Sequence, residues 1–209
     1  MHWRKELSWE TRPKIRDWGL EVNSNLTEVQ ARVLPPPTVM YSGNNGRSQP
    51  RNGSWNLLGK QFFKPGAPLK AWSVVSFDQH ADIKVMQGFI TYLVNNLKRN
   101  GMAVPTERPP LIGPINPAQG PPGPGGVSQA VLSALTEAGS AAFAAGGRTA
   151  APQLILVILP GRDPLLYEEV KRCAAVNLKA PVPTQCMLAM KLRSERGLDQ
   201  YSNSEYLSS

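Results

Sequence analysis

Leu154-Ile155-Leu156-Val157-Ile158-Leu159-Pro160-Gly161-Arg162-Asp163-Pro164 is the stretch that decides the fold. Six consecutive apolar residues, with no polar residue to face water, have the length of a strand and the pattern of a central parallel strand covered on both faces. Pro160-Gly161 ends the run abruptly. Asp163 suits a turn or a helix start, and Leu165 to Val176 reads as a helix. A strand, a turn and a helix therefore follow one another within 23 residues.

The same alternation extends to either side. On the amino-terminal side, Trp72 to Phe77 is a β-rich run, followed over Asp82–Arg99 by Ile83, Met86, Ile90, Leu93, Val94 and Leu97 at helical spacing. Asn100-Gly101 supplies the stop. Ser128 to Ala145 is rich in Ala and Leu and predicts a second helix ending at Gly146-Gly147. On the carboxyl-terminal side a further strand is expected over Thr184–Leu188. Strands alternating with helices at these lengths imply an α/β layer around a central parallel sheet, whose ligands sit beyond the carboxyl ends of the strands.

Two regions break the pattern. Pro105 to Gly126 is dominated by Pro and Gly, and it lacks the apolar side chains that offset the entropy of ordering, so it reads as a loop or insertion. Residues 1–60 are polar and interrupted by Pro35-Pro36-Pro37, Gly43-Asn44-Asn45-Gly46 and Asn52-Gly53-Ser54. They predict an irregular connector with short strands around Trp18–Val22 and Val29–Val33.

Composition narrows the function. The 209 residues are 41% hydrophobic, enough for a real core, and carry a formal net charge of +8. A positive surface favours an anionic partner such as nucleic acid. The charge is spread along the chain with no polybasic tail, so an anion site must be built from a few placed cations. The two cysteines, Cys173 and Cys186, and the two histidines, His2 and His80, have no metal-ligand spacing, and no metal or cofactor is expected. An intracellular, reducing location in the cytoplasm fits best. No apolar run approaches the roughly 18 residues of a membrane helix, and Met1 to Glu6 has no hydrophobic signal core.

Tyr167 and Lys171 stand four residues apart on the helix after the turn, so they share a face that offers a flat ring for stacking and an ammonium for a phosphate. The start of that helix adds free N–H groups and the positive end of its dipole. Gln185, in the next strand, brings an amide donor. On an arbitrary helix the same Tyr–Lys pair is most often a packed ring beside a solvated cation, so the residues alone suggest a terminal-nucleotide site without requiring one. Catalytic readings lose their support: no Gly-x-Gly-x-x-Gly follows the Leu154–Leu159 strand, and no Gly-x-x-x-x-Gly-Lys-Ser/Thr loop or Gly-x-Ser-x-Gly elbow occurs. Asp163, Glu168 and Glu169 do not form a metal cluster, because the two glutamates point to different helix faces.

Pro152 to Gly161, Tyr167-Glu168-Glu169-Val170-Lys171-Arg172 and Thr184-Gln185-Cys186 together resemble the MID domain of eukaryotic Argonautes. Trp18 to Val22, Ala31 to Pro37 and Trp55 through Phe62 resemble the second Argonaute linker and its junction with MID. The resemblance implies a Rossmann-like MID domain over residues 61–209, preceded by the interdomain linker over 1–60 and interrupted by the Pro/Gly insertion 105–126. It also implies a fungal, quelling-type member that stops before the end of MID and before PIWI, and so no nuclease activity. Its partners would be a small guide RNA and the remaining Argonaute domains, PAZ and PIWI. By the same resemblance Tyr167 stacks on the first base. Lys171 and Gln185 hold the 5′ phosphate, helped by Thr184, Cys186 and, with a one-residue shift, Lys191. Gly161, Arg162, Asp163 and Pro164 form the turn that senses the first base, a turn one residue longer than the common animal version. The other reading of the chain is an interaction fragment that docks proteins through its Pro-rich segment.

Overall fold

The computed structural model describes residues 17–19, 26–44, 46–57, 59–120 and 128–193. The chain divides into two units, residues 1–37 and 38–209. In the first, Leu26 to Pro37 is exposed and without regular structure. The strand expected over Val29–Val33 is not formed. Val29 and Val33 lie in water, and three prolines follow that cannot donate to a ladder. Of the other expected strand, Trp18 and Gly19 occupy a turn, with Gly19 at φ 65°, and Leu20 to Val22 lies outside the described residues.

The second unit holds two sheets. The smaller is antiparallel, with β1 (Val39–Ser42) between β2 (Arg47–Ser48) and β3 (Gln61–Phe62). β1 and β2 come from the polar amino-terminal region, and β3 pairs with β1 from beyond position 60. Between β1 and β2 the chain turns so tightly that a Cβ on Gly46 would lie 2.5 Å from the Tyr41 carbonyl oxygen, so the turn requires glycine there.

The larger sheet is parallel, in the order β5-β4-β6-β7. It consists of β4 (Trp72–Ser76), β5 (Leu111–Ile112), β6 (Leu154–Leu159) and β7 (Thr184–Leu188). As the apolar run requires, every residue of β6 is buried. Alternation along it divides the core in two: Leu154, Leu156 and Ile158 face one side, and Ile155, Val157 and Leu159 the other. The first side is covered by α1 (Ile83–Arg99), through Met86, Phe89, Ile90, Leu93, Val94 and Leu97. The second is covered by α2 (Gln129–Ala145) and α3 (Pro164–Arg172), through Val131, Ala134, Leu135 and Ala138 and through Leu166 and Val170. A parallel sheet with helices on both faces is the Rossmann-like arrangement expected.

Three details differ from the sequence reading. Ile83, assigned to the buried stripe of α1, is half exposed in its first turn. The Pro/Gly segment is not all loop: Leu111 and Ile112 pair with Val74 and Val75 of β4. Two residues between prolines carry no readable period, so β5 could come only from the β4 edge beside it. Gly113, at φ 102°, then lets the chain pass where a Cβ would meet the Ser76 carbonyl oxygen at 2.5 Å. Finally, the regular part of α3 ends at Arg172. It widens over Cys173–Asn177 into a looser turn closed by Leu178 N–H donating to the Cys173 carbonyl at 3.1 Å.

Candidate nucleotide-binding site

The residues expected at the site fall into two places. Gly161, Arg162, Asp163 and Pro164 form the turn just beyond the carboxyl end of β6. Thr184, Gln185 and Cys186 lie in β7, the edge strand of the sheet among the described residues.

At the turn, the free N–H groups expected at the start of α3 are already occupied. The Asp163 side chain accepts from Leu165 N at 3.0 Å and from Leu166 N at 3.1 Å, and Pro164 has no N–H to offer. Tyr167 N–H donates to the Asp163 backbone carbonyl at 3.1 Å. The local sequence that starts the helix thus fills its anion-binding end with its own carboxylate. That corrects the expectation that the start of this helix offers free N–H groups.

One cation and one amide meet instead along β7. Ile155 N–H of β6 donates to the Pro183 carbonyl, so backbone alternation turns the carbonyls of Thr184 and Cys186 to the outer side of the strand. Lys171 Nζ donates to the Thr184 carbonyl oxygen. Gln185 Nε2 donates to that of Cys186 at 3.3 Å. The two donors arrive from opposite faces of the sheet. Lys171 belongs to α3, packed on the Val157 side. Gln185 is in register with Leu156, whose side chain faces α1. Only at a sheet edge can groups from both faces reach one row of backbone atoms, two residues or about 7 Å apart.

Tyr167 joins this cluster. The Lys171 ammonium lies 5.6 Å from the centroid of its ring, within cation–π range, and Tyr167 is 48% exposed. Cys186 is half buried. Burial pushes its thiol above the usual range while the nearby Lys171 ammonium opposes the shift, so at neutral pH it presents a neutral thiol and a backbone carbonyl rather than a thiolate. Lys191 is not brought into the cluster by any described contact. It stands on the short 3₁₀ turn Ala189–Arg193 past the other end of β7, a turn seated against the α1 side of the core through Leu192. Among the described residues, no group of three or more His, Cys, Asp or Glu side chains is placed to hold a metal ion. No helix of the described residues is long and apolar enough to cross a membrane.

Glu169, also on this helix, received no site role from the sequence. The Glu169 carboxylate accepts from the backbone N–H of Ser128, 41 positions away in the chain. Nothing in the local pattern foretells a contact across that separation.

Comparison with known proteins relates two stretches of the chain to one family. Residues 1–41 match the Argonaute linker 2 domain, and residues 49–112 match the Mid domain of argonaute. The second span runs from the small sheet to β5 and ends before Tyr167. The protein argonaute of Schizosaccharomyces pombe is 27% identical over 188 residues, which cover 88% of this chain and 20% of that protein. Protein argonaute 1C of Oryza sativa subsp. japonica is 26% identical over 185 residues, 87% of this chain and 17% of its own length. The chain therefore spans about a fifth of these curated relatives. Among solved structures, Drosophila Piwi superposes with a TM-score of 0.57 at 18% identity, over 95% of this chain and 25% of that one. The N. crassa QDE-2 AGO MID domain superposes with a TM-score of 0.45 at 20% identity, over 69% of this chain and 94% of its own. Neither the linker nor the MID domain is a catalytic part of an Argonaute. By these matches the chain carries the Argonaute linker 2 and MID domains.

Proposed function

We propose that the chain binds the 5′-phosphorylated terminal nucleotide of a small guide RNA at the edge of its MID sheet, as part of a silencing Argonaute. One observation carries this reading: the Lys171 ammonium, with the half-exposed Tyr167 ring beside it, and the Gln185 amide donate to neighbouring outer carbonyls of β7. A neutral peptide carbonyl is a weaker acceptor than a phosphate oxygen, so an arriving 5′ phosphate takes Lys171 Nζ from the Thr184 carbonyl and gains a charge-assisted bond. Gln185 Nε2 exchanges in the same way from the Cys186 carbonyl. The first base then lies on the exposed face of Tyr167, where stacking contributes about 1–3 kcal/mol with little sequence preference. Lys191 approaches the phosphate only if the turn after β7 shifts, and the Gly161–Pro164 turn borders the first base.

The same reading assigns the chain to the cytoplasm, with PAZ and PIWI as its neighbours in a full-length Argonaute. The Pro-rich departures from the family pattern favour a fungal, quelling-type member. The test is a titration of matched RNAs bearing a 5′ phosphate or a 5′ hydroxyl. The phosphorylated form should bind more tightly, and Lys171→Ala should remove most of the difference. Equal affinities in the unaltered chain would reject the proposal.

A further inference from the structure

Glu169 lies midway between Tyr167 and Lys171 in sequence, yet it serves the opposite flank of α3. With successive residues about 100° apart around a helix, Leu166, Val170 and Cys173 form one narrow line, and all three are buried in the core. Tyr167 and Lys171 fall on one side of that line, toward the β7 edge. Glu169 falls on the other, toward α2, where its carboxylate accepts from Ser128 N–H.

The amino end of α2 has need of that carboxylate. Its first turn contains no acidic residue, and its N-cap, Ser128, makes no side-chain capping bond. The Ser128 hydroxyl donates instead to the Pro117 carbonyl at 2.6 Å. Glu169 therefore supplies from another helix the negative group that a helix start favours. A nine-residue helix seated along so narrow a line takes its orientation about that line partly from contacts at its flanks. Here the Lys171 bond to Thr184 holds one flank and the Glu169 bond to Ser128 the other.

We infer that Glu169 is a positioning residue for the 5′-nucleotide site: by anchoring α3 to the start of α2 it fixes the angle at which Tyr167 and Lys171 face the β7 edge. The inference rests on the function proposed above. When a phosphate draws Lys171 off the Thr184 carbonyl, Glu169 is the flank contact that remains, so its effect is felt in the bound state.

The experiment measures the ratio of affinities for 5′-phosphorylated and 5′-hydroxyl RNA in four single variants and one double variant, with Lys171→Ala in parallel. Glu169→Ala should reduce the ratio roughly tenfold, the scale of one lost charge-assisted bond. Glu169→Gln keeps an acceptor oxygen and should restore most of it. Ser128→Pro removes the donating N–H at a position whose φ of −58° suits proline, and it should reproduce the alanine loss. Ser128→Ala, which spares the N–H, should not. Combining Glu169→Ala with Ser128→Pro should add nothing, because both break one bond. A full ratio in Glu169→Ala, or losses that add in the double variant, overturns the inference. If Lys171→Ala lowers the ratio while Glu169→Ala and Ser128→Pro leave it intact, only the positioning role fails. If the unaltered chain shows no ratio at all, the site itself fails.

Discussion

β6 and β7 are parallel neighbours in full register, Ile155 to Leu159 against Thr184 to Leu188, yet they do different work. β6 is apolar throughout and buried on both faces. In β7 only Met187 is fully buried, and the strand opens with Thr184, Gln185 and Cys186. A strand with neighbours on both sides has every backbone group committed to the ladder, so its side chains can do little except pack. An edge strand keeps a row of outward carbonyls, which attract donors from both faces and gather them without any change in the core. The scaffold and the candidate site are thus adjacent strands of one sheet, separated by about 4.8 Å.

The largest expected effect tests the scaffold side of this contrast. Ile158→Ala empties a fully buried position between β4 and β7 and should destabilise the domain by about 3 kcal/mol, read as a lower urea midpoint at unchanged slope. A loss below about 1 kcal/mol would mean that β6 is less tightly packed than its burial indicates.

Lys171→Ala tests the edge. It should cost about 2 kcal/mol of 5′-phosphate preference, roughly thirtyfold in affinity ratio, while moving the urea midpoint little. A stability loss as large as that of Ile158→Ala would erase the distinction between the two strands.

Asp163→Ala sharpens it at the turn. Losing the cap should destabilise the fold by about 1 kcal/mol, but phosphate preference should hold or rise, since the substitution frees Leu165 and Leu166 N–H and removes a negative charge. A fall in preference would mean that the Asp163 cap is needed to hold Tyr167 and Lys171 at the β7 edge. Gln185→Leu should have a smaller effect, about 0.5 kcal/mol or roughly twofold in the same titration, because its bond is neutral and long.

The smallest effect separates the two thiols. Burial, reinforced by the Glu169 carboxylate, pushes Cys173 up to about 11, and Cys186 is raised by burial against the opposing Lys171 ammonium. At pH 8 both thiols stay protonated in the folded protein and should resist iodoacetamide, which labels them once urea is added. Lys171→Ala removes the ammonium that lowers Cys186, so its labelling in the folded state should slow further.

The limits of the sequence show in the same residues. The period-free apolar run of β6, the helical spacing in α1 and the Gly stops were readable because each reflects burial of a contiguous segment. Ser128 to Ala145 was readable too, as a helix. β5 was not readable: two residues among prolines are a strand only because the edge of β4 lies beside them. The Tyr167–Lys171 pair is visible from its spacing, but the blocked start of α3 is not, although Asp163 reads as a helix start. Whether a cap acceptor faces its own helix or leaves the N–H groups to a ligand depends on rotamer and neighbours, not on spacing.

By itself, the sequence determined the α/β alternation, the buried central strand, the boundaries of β7 and the residues able to meet an anion and a base. Tertiary structure alone decided that these residues meet at a sheet edge rather than at a helix terminus, that Lys191 stands apart from them, and that Glu169 reaches the start of α2. Segment identity follows from local periodicity and propensity, which act within a few residues. The site follows from hydrogen bonds between residues 13 and 41 positions apart, which exist only after the sheet and its two helix layers have assembled.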